Sequence, residues 1–588
     1  RALLENGELP LKLTSEKLGI TAAMLKPLVE KEIVDLKTVK KEPGAGNRFP
    51  ETGPVALNQE QKNAAETVIR DYDSGQRNTY LLYGITGSGK TEVYMELIDY
   101  VLRKGRQAIV LIPEISLTYQ TVMRFYRRFG NRVGIMNSRL SAGERYEQSE
   151  RAANGEIDIM IGPRSALFTP FPDLGLIIID EEHEGAYKSE TAPRYDAREV
   201  AKVRADMSRA AVVLGSATPS VESYYLAEQG EYKLLTLTKR AKENSRLAGV
   251  HIVDLREELA EGNRSIFSRR LKWLIEDRLG QQVMLFMNRR GYAGFVSCRS
   301  CGKAMKCPHC DVSLTYHKNG RLKCHYCGFE RPLPDRCPSC GSPFIAPFGT
   351  GTQKLEEFTK REFPKARILR MDADTTAKKG AHEEILATFA EGGADILIGT
   401  QMIVKGHDFA NVTLVGVMAA DLSLYAPDYK SAERTFELLT QASGRAGRGE
   451  LQGDVVIQTY APDHYAVSSA AEQDYLQFYR QELLYRKMMG YPPLVRLLTI
   501  GLSSKREADV IRASEDMKRV ILREYALDGL KVIGPVEDSP YKLNDNYRKI
   551  LYMKHESYDI LLKVRNCARK RENIPDLFRN VFVQYDLT

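Results

Sequence analysis

From Leu57 onward, short and wholly apolar runs alternate with longer stretches in which apolar residues recur every three or four positions. Tyr80 to Tyr83, Ala108 to Ile112, Ile157 to Gly162, Leu176 to Asp180 and Ala211 to Gly215 have the length and composition of buried strands, and helical stretches separate them. A second series runs through Val283 to Met287, Ala366 to Met371, Asp395 to Thr400, Val412 to Val417 and Val455 to Thr459. Strands alternating with helices predict doubly wound, mainly parallel sheets, so an α/β fold with two lobes is expected. Lobe 1 is expected over 57–241, and lobe 2 over 242–296 together with 343–462.

Three segments break this rhythm. Residues 1–42 carry Leu13, Leu18, Gly19, then Met24, Leu25, Leu28, Val29 and Ile33-Val34. Two short helices around a glycine turn and a β-prone edge resemble a winged-helix unit, and a small helical spacer fits the same pattern. Residues 43–56 are rich in Pro, Gly and charge and read as a linker. After about Pro462 a helical Tyr475 to Met489 leads through Gly490-Tyr491-Pro492-Pro493 to a strand, a helix, two strands, a helix and Val581-Phe582-Val583. That order predicts a C-terminal α+β domain over 463–588 on a split βαβ plan.

At 588 residues the chain is too long for a single core, and 43% hydrophobic with 28% charged residues excludes a disordered or fibrous protein. No apolar run approaches the roughly 18 residues of a membrane span, and no signal peptide opens the sequence, so no membrane partner and a cytoplasmic location are expected. The net charge of +8 permits a nucleic-acid partner without requiring one.

The first candidate chemistry follows the Tyr80–Tyr83 run. Gly84-Ile85-Thr86-Gly87-Ser88-Gly89-Lys90-Thr91 matches G-x-x-x-x-G-K-[ST] between a strand and a helix. Glycines let the backbone N–H groups and the helix N-terminus face phosphates, Lys90 neutralises them, and Thr91 can reach Mg²⁺. Gly84, Thr86, Gly87, Ser88, Gly89, Lys90 and Thr91 are therefore candidate ATP ligands. The run ending at Asp180 delivers Asp180-Glu181-Glu182-His183 to the edge of the same sheet, where Asp180 is expected in the Mg²⁺ shell and Glu181 is expected to orient and deprotonate water. Beyond it, Tyr187, Lys188, Arg194, Tyr195 and Arg198 interleave rings and cations, a pattern in which a base stacks on tyrosine while arginine holds phosphate. Tyr187 and Tyr195 as packing residues are the alternative.

Eight of the nine cysteines lie between Cys298 and Cys340 as four Cys-x-x-Cys pairs: Cys298/Cys301, Cys307/Cys310, Cys324/Cys327 and Cys337/Cys340. Each pair is half of a tetrahedral thiolate site, so an insertion over 297–342 holding two Zn²⁺ is expected. The inner pairs have ribbon-like spacing, which favours a nested grouping of the inner four and the outer four; sequential grouping is the alternative. His309, His317 and His325 are surplus to four thiolate pairs. Cys567 reads as a packing residue. Tyr541-Lys542 with Tyr547-Arg548-Lys549 reads either as a DNA contact or as a solvated strand edge.

The phosphate loop, Pro113 to Thr118, Gly162 to Ala166, Asp180 to His183, Gly215 to Pro219, Gly399 to Met402, and Gln441-x-x-Gly444-Arg445-Ala446-Gly447-Arg448 resemble the ordered motifs of superfamily 2 helicases. With the Leu57-Asn58-x-Glu60-Gln61 prelude and the cysteine insertion, the chain resembles the PriA-type replication-restart helicase family over nearly its whole length. The resemblance implies two RecA-like lobes, with Gln61 reading adenine and Gln441, Arg445 and Arg448 reaching the ATP site from lobe 2. It also implies a loop after the acidic box that couples DNA binding to hydrolysis, in which Pro193 stands where an aromatic residue is expected. The implied activity is ATP-driven 3′-to-5′ unwinding at stalled or branched forks that initiates restart. The implied partners are branched and single-stranded DNA, other primosome proteins and a single-stranded-DNA-binding protein, with the chain a monomer. A scaffold acting through protein contacts and an RNA or duplex-translocating motor are the competing readings. A further module that captures the 3′ end at a fork would lie ahead of residue 1.

Overall fold

The computed structural model describes residues 11, 14, 20, 22–31, 33–36, 53 and 55–588, except 139, 192, 242–247, 288–295, 310–311, 318–319, 326, 348–350, 373, 377–380, 405–408, 410, 426–427, 448–451 and 526–528. More than half of the winged-helix-like unit and most of the linker lie outside these residues; the unit's described part includes a helix at Ala22–Glu30.

Lobe 1 is built on β1 (Thr79–Gly84), β2 (Gln107–Leu111), β3 (Val133–Ile135), β4 (Ile159–Gly162), β5 (Leu174–Asp180), β6 (Ala211–Ser216) and β7 (Lys233–Leu237), in the parallel order β3-β4-β2-β5-β6-β1-β7. The runs read as apolar are β1, β2, β4, β5 and β6, strands sandwiched between layers and therefore apolar on both faces. On one face Leu82, Val110, Ile178 and Val213 meet Val93, Leu97, Ile98 and Val101 of the Lys90–Arg103 helix. Lobe 2 opens with β8 (Gly249–Asp254) and β9 (Gln282–Phe286). It is interrupted by an insertion carrying β10 (Val296–Cys298), β11 (Thr315–Tyr316), β12 (Arg321–Lys323), β13 (Glu330–Pro332) and β14 (Ile345–Pro347). It resumes with β15 (Ile368–Met371), β16 (Ile396–Gly399), β17 (Val412–Val417) and β18 (Asp454–Thr459), giving the parallel order β15-β16-β9-β17-β18-β8.

The apolar runs miss β3, β7 and β8. All three are sheet edges; β7 and β8 keep partial solvent contact along their length, and the buried β3 is only three residues long with Gly134 at its centre, so no continuous apolar run marks them.

The C-terminal domain carries β19 (Arg496–Ser504), β20 (Lys531–Leu543), β21 (Asn546–His555) and β22 (Phe582–Leu587) in the antiparallel order β20-β21-β19-β22. Each crossover helix skips one strand, which is the split βαβ plan. The β20–β21 hairpin turns at Asn544 and Asp545, both with positive φ, the requirement of a tight type I′ turn.

A helix at Tyr475–Met489, here the linker helix, joins lobe 2 to this domain and lies between the lobes. Its Tyr475 and Tyr479 pack on Tyr224 of lobe 1 at ring distances of 5.2 and 4.6 Å, and Phe478 stacks on Phe436 of lobe 2 at 4.3 Å. Through these rings the apolar interiors of the two lobes form one continuous cluster.

Candidate nucleotide site and zinc-binding insertion

The phosphate loop leaves the buried end of β1 and turns at Gly87 and Gly89, whose φ values of +80° and +81° exclude most side chains. A Cβ on Gly89 would lie 2.3 Å from Gln61 Nε2. Gln61 is buried; its Nε2 donates to Ser88 O at 2.8 Å, and its Oε1 accepts from Asn58 N at 2.9 Å in a capping box that starts the Gln59–Asp73 helix. Lys90 Nζ folds back to donate to Gly84 O at 2.9 Å, so its charge sits over the loop, and Thr91 lies in the first turn of the helix that follows. Ser88 Oγ is buried with no hydrogen-bond partner, a polar atom that fits a phosphate ligand.

The acid edge begins where β5 ends. Tyr94 of the phosphate-loop helix donates to Asp180 Oδ1 at 2.9 Å. Burial and the neighbouring Glu181 charge push the Asp180 carboxyl up to about 6, while Lys90 opposes them. Glu181 takes a left-handed φ of +49°, carrying the chain off the strand while Glu182 N still bonds Gly215 O at 3.0 Å. Glu182 itself is fully buried and accepts from Ser220 N (2.7 Å), Ser223 Oγ (2.8 Å) and Arg198 (3.3 Å).

His183 bridges the lobes. Its Nδ1 lies 2.7 Å from Ser216 Oγ at the end of β6, and its Nε2 lies 3.1 Å from Gln441 Nε2 of lobe 2. With that amide nitrogen facing the ring, Gln441 donates to Nε2 and the ring donates from Nδ1 to Ser216, whose Oγ also accepts from Thr218 N. Gln441 belongs to the Ser431–Ser443 helix, here the bridging helix. Just beyond its end, a Cβ on Gly444 would lie 3.1 Å from the methyl of Thr86, so lobe 2 abuts the phosphate loop. Arg445 follows, half-buried in the same cleft, and Arg448 lies outside the described residues.

In the loop expected to couple DNA, several of the named side chains are engaged within the protein. Tyr187 is 1% exposed and its hydroxyl donates toward Asp180 O (2.7 Å) and Leu111 O (3.0 Å), so its ring is scaffold under the acid edge and offers no face to a base. Arg198 is held by Asp196 at 2.7 Å and by Glu182, not directed at phosphate. Tyr195 packs edge-on against Phe168 at 5.4 Å. Lys188 and Arg194 meet Asp586 of β22 at 2.6 and 3.7 Å, a contact between lobe 1 and the C-terminal domain that no local pattern signals.

In the insertion, Cys298 Sγ lies 3.6 Å from Cys340 Sγ, and Cys301 Sγ lies 3.6 Å from Cys337 Sγ. The ligand atoms of all four lie within 4.8 Å of one another, and Cys307, Cys324 and Cys327 form a second group; their partner Cys310 lies outside the described residues. This is the nested grouping. Thiolates held about 2.3 Å from a tetrahedral zinc are separated by about 3.8 Å, so the donor set fits zinc. His317 and His325 face each other, Nε2 to Nε2, at 3.3 Å, and His309 packs on Phe329. The insertion rests on both neighbours: Lys323 pairs with Glu537 of β20, and Gly302 accepts from Tyr425 of lobe 2 at 3.2 Å. Elsewhere, Lys542 lies over the Tyr547 ring at 5.0 Å and Arg548 pairs with Asp538, so those cations are engaged on their own hairpin. Cys567, partly buried, points at Glu524, and burial pushes its thiol up to about 11.

A phosphate loop and an acid edge on one parallel sheet, met by the bridging helix of a second parallel-sheet lobe, define the two-lobed motor class to which helicases belong. Family models agree along the chain: "Type III restriction enzyme, res subunit" over 54–221 and "Helicase conserved C-terminal domain" over 345–450. "PriA DNA helicase Cys-rich region (CRR) domain" covers 307–332 and "Primosomal protein N C-terminal domain" covers 487–586. The chain belongs to the family of replication restart protein PriA. It is 47% identical to the Bacillus subtilis (strain 168) protein over 567 residues, covering 95% of this chain and 70% of that one. It is 44% identical to the Synechocystis protein (87% and 62% covered) and 42% identical to the Chlamydia pneumoniae protein (91% and 70% covered). The chain thus spans between 62% and 70% of the length of these relatives.

Removing the guanidinium of Arg198 leaves the Glu182 carboxylate buried without a counter-charge. Arg198→Ala is expected to cost about 3 kcal/mol in a urea titration, a loss that Arg198→Lys partly recovers.

Proposed function

We propose that this chain hydrolyses ATP between its lobes to unwind stalled or branched replication forks with 3′-to-5′ polarity, and so prepares them for restart. The observation that carries the reading is the Gln441–His183 contact: it fastens lobe 2 to the acid edge, while Gly444, three residues on, abuts the phosphate loop. Lys90 and Thr91 hold the phosphates. Gln61 still has one amide hydrogen and one oxygen lone pair for adenine beyond its bonds to Ser88 and Asn58. Asp180 and Thr91 would hold Mg²⁺, which when bound neutralises charge on the phosphate oxygens. Glu181 orients and deprotonates the attacking water, and Arg445 and Arg448 stabilise charge on the γ-phosphate when the lobes close. Branched and single-stranded DNA, other primosome proteins and a single-stranded-DNA-binding protein are the partners, and the chain acts as a monomer. The cysteines hold two zinc ions, each of which when bound cross-links its four thiolates into a closed structural site.

ATPase activity is expected to rise more with forked DNA than with single-stranded DNA or RNA, and Lys90→Ala is expected to lower kcat by about 10² or more. Preferential stimulation by RNA, or fork unwinding that survives Lys90→Ala, would overturn the reading. Metal analysis of purified protein is expected to return about two zinc ions per chain; a value near zero defeats that assignment.

The raised Asp180 carboxyl adds a pH dependence. Below about 6 it takes up a proton, which competes with the cation, so the Mg²⁺ concentration for half-maximal ATPase should climb roughly fivefold as pH falls from 6 to 5. Mg²⁺ titrations corrected for protonation of ATP itself measure this, and a flat profile contradicts it.

A further inference from the structure

The bridging helix touches lobe 1 at two points. Gln441 reaches His183, and eight positions earlier Glu433 reaches Val221, the first residue of the Val221–Glu228 helix, whose N–H donates to Glu433 Oε1 at 2.7 Å. A carboxylate from lobe 2 thus sits on the N-terminus of a lobe 1 helix, where the exposed N–H groups and helix dipole favour negative charge. On the lobe 1 side the two points are the ends of one segment: His183 bonds Ser216, and Val221 follows five residues later, with Ser220 N tied to Glu182. Eight residues of helix span about 12 Å, so two such attachments fix both the rotation and the axial position of the bridging helix.

The other oxygen of Glu433 is held by Arg486 of the linker helix at 2.7 Å. Arg486 is fully buried, and its remaining donors go to Glu482 (2.8 Å), Pro492 O (3.1 Å) and Glu222 of lobe 1 (3.2 Å). Lys430 of lobe 2 meets the same Glu222 oxygen at 2.6 Å. The guanidinium lies 5.3 Å from the ring of Tyr429, which stacks on Tyr491, over which Lys554 of β21 stands at 3.6 Å. One arginine therefore contacts both lobes and connects through two rings to the C-terminal sheet.

We propose that Glu433 and Arg486 are positioning residues for ATP hydrolysis, setting the bridging helix so that Gln441 and Arg445 arrive in register at the phosphate loop. The inference rests on the nucleotide-site reading above and adds that register is set about two turns away, by a group that never meets nucleotide.

The test compares Val221→Pro, Glu433→Gln, Arg486→Met and Arg486→Lys with the unaltered chain. Proline deletes the donor N–H at the helix position that tolerates it, and Ser220 (φ −61°, ψ 146°) already has the backbone a following proline favours; it also exchanges the buried Val221 side chain for a ring whose Cδ faces Glu433, so Val221→Ala, which keeps the N–H, is run beside it as the packing control. In Glu433→Gln the amide nitrogen opposes either Val221 N or Arg486 Nη2, donor against donor whichever way the amide turns. Each variant is assayed for DNA-stimulated kcat, KM for ATP, affinity for a fluorescent ADP and cooperative unfolding. The expected result is a kcat lower by about tenfold to a hundredfold, from misplacement of groups that act in the transition state, with ADP affinity within about twofold because the lobe 1 ligands are untouched. Arg486→Lys is expected to recover part of what Arg486→Met loses. If Arg486→Met does not fold, Val221→Pro and Glu433→Gln decide. The inference is overturned if the folded variants turn over at the unaltered rate, or if ADP affinity falls in step with kcat. Lys90→Ala run alongside separates the two levels. Full activity there sinks the nucleotide-site reading itself, whereas loss of activity there with unaltered Val221→Pro and Glu433→Gln sinks only the positioning role.

Discussion

The interaction on which the rest of the molecule depends is the insertion of the linker helix between the lobes. Two parallel sheets joined only by flexible chain would present half-sites with no defined separation. Here Tyr475, Phe478 and Tyr479 join the apolar interiors of both lobes into one cluster, and Arg486, buried on the same helix, satisfies carboxylates from each. Apolar burial supplies the adhesion, which is non-directional; the ion network supplies the geometry, since an unpaired carboxylate there would be costly. The arrangement holds lobe 2 within hydrogen-bond reach of the acid edge.

At that edge four consecutive residues are put to four uses. Asp180 stays on the strand against Tyr94, Glu181 turns left-handed into the cleft, Glu182 disappears into the core to anchor the segment after β6, and His183 carries the contact to Gln441. Strand periodicity alone would alternate these side chains between the two faces of the sheet; the positive φ at Glu181 is what breaks the alternation. The geometry of this acid edge therefore turns on one left-handed residue, held in place by the buried bonds of its neighbour.

The cysteine insertion and the C-terminal domain extend the same logic outward. Lys323 to Glu537 joins the insertion to β20, Tyr425 to Gly302 joins it to lobe 2, and Lys188 and Arg194 to Asp586 join lobe 1 to β22. The C-terminal sheet thus occupies cations of the loop that, by sequence, are offered to phosphate.

The sequence by itself determined the elements and the local chemistry. The apolar runs located the buried strands because strands covered on both faces cannot be polar, and the phosphate loop and cysteine pairs were legible because their ligands lie within a few residues of each other. The edge strands β7 and β8 escaped because they keep solvent contact, and the buried β3 because it is only three residues long. Tyr187 and Arg198 read as DNA contacts because a sequence records which groups are present but not which way they face; only the tertiary structure placed Tyr187 in the interior under β5 and Arg198 against Asp196 and Glu182. Glu433 and Arg486 carried no signal at all. Their partners lie 212 and 53 residues away, and such pairs exist only once two lobes and a helix have been brought together.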